Sequence, residues 1–221
     1  MGFFKNAIAI KGDFVIATIA TLYMTFVTAI IAGVIGIILG IILTVTEEDG
    51  ILENRFVNYA LDKIINLLRS IPFIILLALI APLTRLIVGT RIGETAAIVP
   101  LVFGTFPFFA RQVQNVLLET DRGIVEAAEA MGDSEFEIIT RVYLRESLPG
   151  LIRVSALTII SLIGLTTMAG AIGAGGLGKL AIAQGYNRFQ DDITVVATLI
   201  ILVIVYIIQG LSNILIKKIS H

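Results

Sequence analysis

From Phe14 to Thr46 the chain runs through 33 residues without one charged side chain. A helix crossing the hydrocarbon core of a bilayer needs only about 20 such residues. This run therefore predicts a spanning helix that tilts or protrudes at one end. Four more apolar segments follow: Ser70 to Thr84 between Arg69 and Arg85, Thr95 to Ala110 between Glu94 and Arg111, Val154 to Gly178 between Arg153 and Lys179, and Ile193 to Ile216 ahead of Lys217 and Lys218. The expected fold is an all-α integral membrane protein with five transmembrane helices, at about 14–46, 68–86, 92–111, 151–177 and 193–216. The two middle segments are short for a core of about 30 Å. They span it if flanking residues such as Arg69 snorkel to the interface or if neighbouring helices shield them.

Composition agrees: 57% of residues are hydrophobic and only 15% charged, outside the range of soluble domains. A net charge of −1 argues against a nucleic-acid partner, which calls for a basic surface. Cysteine is absent, so thiolate chemistry and disulfides are excluded. The single histidine, His221, is the last residue and reads as a tail rather than a ligand. The opening residues do not resemble a cleaved signal peptide, because the apolar run behind them is too long for an h-region. No tandem repeat or low-complexity tract is evident.

Five spans place the termini on opposite sides. With the N-terminus outside, Arg55, Arg111, Arg122, Arg141, Arg145, Lys217 and Lys218 lie inside, and Lys5, Lys11, Arg85, Arg91, Lys179 and Arg188 outside. Seven against six does not choose an orientation by the positive-inside rule. Phe56, Val57, Ala60, Leu61, Ile64 and Ile65 have helical apolar spacing in the connection after the first span, which fits a helix along the interface.

The polar stretch at about 119–149 stands apart from this apolar background. Asp121 can cap a helix starting near Arg122. In that helix Ile124, Ala127, Ala128 and Met131 are expected to share one face, with Glu126 and Glu129 at its edges. Gly132 can end it in the left-handed conformation. Ser134 and Glu137 have the spacing of a capping box for a second helix, with Phe136, Ile139 and Tyr143 on one side and Glu137 and Arg141 four apart in the favourable order. Pro149 can open the next span.

Glu126-Ala127-Ala128, then Gly132, then Leu148-Pro149 resemble the EAA loop of the permease subunits of bacterial ABC importers. That resemblance implies that Glu126, Ala127, Ala128, Gly132, Leu148 and Pro149 form the coupling site for a separate ATP-hydrolysing subunit. The plainer alternative is a helical hairpin lying on lipid. The resemblance also orients the chain, with the loop and the C-terminus in the cytoplasm.

Gly173-Ala174-Gly175-Gly176-Leu177-Gly178 matches the spacing of a dinucleotide fingerprint, with Lys179 next and Asp192 beyond. It follows a helix-length apolar run rather than a strand, and Leu180 stands where a P-loop carries Ser or Thr, so nucleotide binding is rejected. Gly164, Gly170, Gly173, Gly175, Gly176 and Gly178 are expected to let the fourth span approach its neighbours and bend, and Gly33, Gly36 and Gly40 to let the first span do so. Pro72, Pro82, Pro100 and Pro107 are expected to interrupt the two middle spans, where freed backbone groups are tolerable only against protein or a wet path. Arg69 and Arg111 read as interfacial anchors. Pro72, Met168, Gly170 and Gly173 are the gate and pore candidates, with plain packing as the alternative for Met168.

Arg69 to Leu77, Ile87 to Thr90, Ala96 to Leu101, Pro107-Phe108 and the Gly173 to Gly178 run are similar to the permeases of methionine importers, over about Ile16 to Gln209. The resemblance implies a type I ABC importer permease fold over residues 16–210, working as a homodimeric bundle. Its partners would be a second copy of the chain, two ATP-binding subunits, an external methionine-binding lipoprotein and membrane lipid. It implies no cofactor and no catalytic or metal-binding residue on this chain, with ATP and magnesium on the ATPase subunit. Location in the bacterial cytoplasmic membrane and alternating-access import of methionine, D or L, follow from the same resemblance. A permease for a polar amino acid or a phosphonate stays open. An ion-driven secondary transporter would normally carry paired ionisable residues at mid-span, and the long apolar runs have none.

Overall fold

A computed structural model describes residues 3–219, so His221 lies outside the described residues. All regular structure among them is helical. The helices are α1 (Lys5–Ala9), α2 (Lys11–Val45), α3 (Arg55–Ser70), α4 (Phe73–Leu79), α5 (Ala81–Val88), α6 (Glu94–Leu117), α7 (Arg122–Met131), α8 (Glu135–Glu137), α9 (Leu144–Glu146), α10 (Leu148–Ala169), α11 (Gly176–Gly178) and α12 (Asp191–Ile219).

Among the described residues, four stretches are long and apolar enough to cross a membrane: Lys11–Val45, Glu94–Leu117, Leu148–Ala174 and Asp191–Ile219. The segment expected as a span at 68–86 is not one helix. Pro72 disfavours helical backbone at Ile71 and separates α3 from α4. Ile80, at φ −93° and ψ 6°, then separates α4 from α5, which begins with Pro82 in its first turn. The 92–111 segment departs in the other direction. Pro100 and Pro107 do not break α6, which runs unbroken for 24 residues to Leu117. It passes through Arg111 because that side chain finds partners: Nη1 donates to Gln114 Oε1 at 2.7 Å, and Nη2 donates to Asn66 Oδ1 at 3.2 Å and pairs with Asp62. Arg111 is thus tied to α3 rather than left to snorkel.

The helices pack as two compact units. One comprises Met1–Ile31, Ile71–Thr105 and Ile159–Gly210. Its core has two clusters. Phe14, Leu177, Leu180, Ile193 and Ala197 form the first, and Met24, Phe73, Leu76, Leu101, Leu162 and Ala169 the second. Asp192, which follows the glycine run, is a structural clasp. It is 2% exposed and accepts from the Ala7 backbone N–H at 2.8 Å and from Asn6 Nδ2 at 3.1 Å, holding α1 to the start of α12.

The other unit comprises Ala32–Ser70, Phe106–Thr158 and Leu211–His221. Phe109, Val113, Val116, Leu117 and Val154 are buried together, and Leu43, Ile65 and Ala110 form a neighbouring cluster. The close approach of α2 to α6 depends on two glycines. A Cβ on Gly36 would lie 2.7 Å from Phe109 Cδ1, and one on Gly40 would lie 2.6 Å from Val113 Cβ. Gly33 and Gly164 have no neighbour within 4 Å of such an atom, so the close-packing role expected of them is not seen.

Candidate functional site

The polar loop leaves α6 after Leu117 and returns at α10, and its two ends are stapled together. Ser147 is buried; its hydroxyl reaches the Val116 carbonyl at 3.3 Å and lies 3.0 Å from Thr120 Oγ1. Between these ends stand the two helical arms expected from the sequence. Asp121 Oδ1 accepts from the Gly123 N–H at 2.7 Å and starts α7. Gly132, at φ +88° and ψ 17°, ends it. The Gly132 N–H donates to Glu129 O at 3.0 Å and the Asp133 N–H to Ala128 O at 3.1 Å, the paired bonds of a Schellman ending.

Ser134 and Glu137 then close the capping box: the Glu137 carboxylate accepts from the Ser134 N–H at 3.1 Å and the Ser134 hydroxyl accepts from the Glu137 N–H at 3.4 Å. Arg141 pairs with Glu137 at 3.0 Å. The Ser134 backbone bond is the largest cause holding the Glu137 carboxyl below its ordinary range, followed by the Ser134 hydroxyl and Arg141. A lowered folded value gives stability that is full above the ordinary glutamate range and lost as pH falls through the lowered value. At neutral pH the cap is therefore intact.

The inward faces differ from those expected. In α7 the buried residues are Val125 and Ala128, while Ile124, Ala127 and Met131 face outward. In the second arm a π-helical stretch, Ile138–Tyr143, lies between α8 and α9. Its wider turn displaces the stripe that a regular α-helix would present, so Ile138 and Val142 are buried while Phe136 is 74% exposed. Of the six coupling candidates, Ala128 is buried, Pro149 is half-buried, and Glu126, Ala127, Gly132 and Leu148 are exposed. The loop thus keeps a thin apolar core of Val125, Ala128, Ile138 and Val142. Its outer side displays Ile124, Met131 and Phe136, with Met131 77% exposed. Sequence spacing did not single out Ile51, which packs onto this core from the α2–α3 connection.

The glycine run forms a turn after α10. Gly173 has φ +112°, Gly175 φ +94° and Gly176 φ +69°, a left-handed series closed to most side chains. The Leu177 N–H donates to Thr21 Oγ1 at 2.9 Å and the Gly93 N–H to Gly173 O at 3.2 Å, so the turn is sewn to α2 and to the start of α6. A Cβ on Gly170 would lie 2.8 Å from the Lys179 backbone nitrogen. No strand precedes the run among the described residues, and the Leu177 N–H is already bonded to Thr21 rather than free for a phosphate.

The gate candidates are not assembled into one site. Gly173 lines a cavity of about 20 Å³ with Leu77, Thr84, Ala97 and Ala169, room for about one water. Gly170 is buried in the turn, and Met168 and Pro72 are exposed and do not line this cavity. No group of three His, Cys, Asp or Glu side chains able to hold a metal occurs among the described residues.

The family described as "Binding-protein-dependent transport system inner membrane component" matches residues 34–221. The chain is 42% identical over 214 residues to the probable D-methionine transport system permease protein MetI of Vibrio cholerae, covering 96% of this chain and 95% of that protein. It is 46% identical over 199 residues to the methionine import system permease protein MetP of Bacillus subtilis, covering 90% of each. Among solved structures, an inward-facing conformation of the MetNI methionine ABC transporter superposes with a TM-score of 0.94 at 40% identity, covering 96% of this chain and 99% of that one.

Proposed function

The chain belongs to the family of binding-protein-dependent transport system inner membrane components, the permease subunits of ABC importers, and from that premise we propose that it forms the translocation path for methionine. It is a membrane subunit and not itself catalytic. The observation that carries the coupling role is the outer face of the 119–149 loop, where Ile124, Met131 and Phe136 stand exposed on two firmly capped arms outside the spans. Exposed apolar side chains on a polar loop fit the cleft of a soluble partner better than water.

In this reading Glu126, Ala127 and the exposed apolar residues meet the ATPase subunit, Gly132 sets the angle between the arms, and Leu148-Pro149 hands the loop to α10. Two copies of the chain, two ATP-binding subunits and an external binding lipoprotein make up the importer. ATP and magnesium bind the ATPase subunits. The loop and the C-terminus face the cytoplasm of a bacterial cell and the N-terminus faces outward. The fifth crossing is made by α4 and α5, about 22 Å of helix if laid end to end, which is short of a 30 Å core and depends on shielding by neighbours. ATP binding draws the two loops together and turns the bundle outward, and hydrolysis resets it. A swing from 1:99 to 99:1 takes about 5.5 kcal/mol, and the loop is the route for it. The gate roles of Pro72, Met168, Gly170 and Gly173 belong to this proposal.

The test of substrate is stimulation of ATP hydrolysis in the reconstituted complex by the cognate binding protein loaded in turn with L-methionine, D-methionine, polar amino acids or a phosphonate. Methionine is expected to stimulate strongly and the others little; stimulation by a different solute alone would reassign the substrate. For the partner surface, Phe136→Asp and Glu126→Lys are expected to reduce co-purification with the ATPase subunit while leaving membrane insertion unchanged. Undiminished co-purification by both variants would remove this face from the interface.

A further inference from the structure

Thr46–Asn54, the connection between α2 and α3, has no role in the reading above, yet it is built tightly against the coupling loop. Ile51 is partly buried and packs against the cluster of Val125, Ala128, Ile138 and Val142, as Tyr143 does. Asp49 lies 3.7 Å from Arg122 at the same junction, an exposed pair that orients more than it binds. Burial raises the Tyr143 phenol above its ordinary value; Arg122 opposes this, and Glu129 and Glu47 add to it.

The connection is equally rigid on its other side. The Leu52 N–H donates to Val45 O at 2.9 Å and the Asn54 N–H to Thr46 O at 3.1 Å, folding it back on the end of α2. Asn58 Nδ2 donates to Leu43 O at 2.8 Å, tying α3 to α2, and Asn54 Oδ1 accepts from the Val57 N–H at 3.1 Å at the start of α3. Gly50 approaches so closely that a Cβ there would lie 2.6 Å from Val45 O. A segment bonded to two helices and packed against the core of a third element is placed to pass that element's displacement to them.

We propose that Thr46–Asn54 is a second coupling element, and that Ile51 is the positioning residue that hands displacement of the 119–149 loop to α2 and α3. Displacement thereby reaches these helices as well as α6 and α10, which flank the loop in sequence. The proposal rests on the reading of that loop as the ATPase contact. Loss of co-purification with the ATPase subunit in Phe136→Asp and Glu126→Lys tests that underlying reading independently.

Against that control, Ile51→Ala is expected to keep co-purification and basal hydrolysis while uptake per ATP hydrolysed falls on the order of fivefold. Ile51→Val is expected to restore most of the ratio. An unchanged ratio in Ile51→Ala overturns the proposal, as does a loss of hydrolysis and uptake in equal proportion. A second measurement needs no cavity in the core. The chain has no cysteine, so Leu52→Cys and Arg145→Cys, both at exposed positions, accept a spin-label pair without touching the residues assigned to the ATPase contact. In complexes where only one of the two copies carries both labels, the within-chain distance distribution is expected to stay unchanged when nucleotide is trapped, because the two segments move as one. A shift beyond the width of the distribution shows that they move apart and contradicts the relay.

Discussion

Gly132→Val is expected to yield a complex that inserts and assembles normally but loses most of the stimulation of ATP hydrolysis by the loaded binding protein. Gly132 sits at φ +88° between the two arms, and no atom lies within 4 Å of where a Cβ would stand. The effect is therefore conformational and not steric. Holding a β-branched residue in left-handed backbone costs on the order of 1–3 kcal/mol, and each 1.4 kcal/mol is about tenfold in an equilibrium. The arms would relax away from the angle at which they meet the partner. Gly132→Asn, which tolerates this conformation, should recover most of the stimulation. If the valine variant is stimulated like the wild type, the angle set at Gly132 has no part in coupling.

The second large effect is expected at Gly40. Within their unit, a Cβ at Gly40 would stand 2.6 Å from both Val113 Cβ and Cγ1 and 2.9 Å from Ala110 O. Helices in lipid gain no hydrophobic advantage from meeting each other, so they depend on close packing at small residues. Gly40→Leu forces α2 away from α6, an overpacking penalty of about 1–3 kcal/mol or more, and should leave little folded protein in detergent extracts. Gly33→Leu is the matched control, since its surroundings are open. Size-exclusion yield and thermal unfolding of the two variants should separate clearly; equal yields would show that the α2–α6 approach is not limiting.

The caps of the coupling loop were legible because they are local. Asp121, Gly132, Ser134 and Glu137 each act on backbone within a few residues, and spacing alone locates them. The faces of the arms were not legible. Two apolar stripes compete on α7, one turned to the thin core and one left exposed, and hydrophobicity cannot say which is which; Val125 rather than Ile124 turns inward. The second arm misleads further because a π-helical stretch breaks the expected period.

The middle spans show the same limit. A charged residue at Arg111 looks like the end of a helix until Asp62, Asn66 and Gln114 are seen around it. Prolines do not report their own consequence: Pro72 separates two helices, whereas Pro100 and Pro107 sit inside one. Ile51 could not be found from pattern, because one isoleucine in a polar turn carries no periodicity.

The central claim is that energy reaches this chain only through a separate ATPase gripping the 119–149 loop. Methionine uptake into proteoliposomes, with and without the ATPase subunit and with ATP and the binding protein supplied, measures this directly. Uptake is expected only when the ATPase subunit and ATP are both present. Uptake by the chain alone, sustained by an ion gradient, would contradict the account.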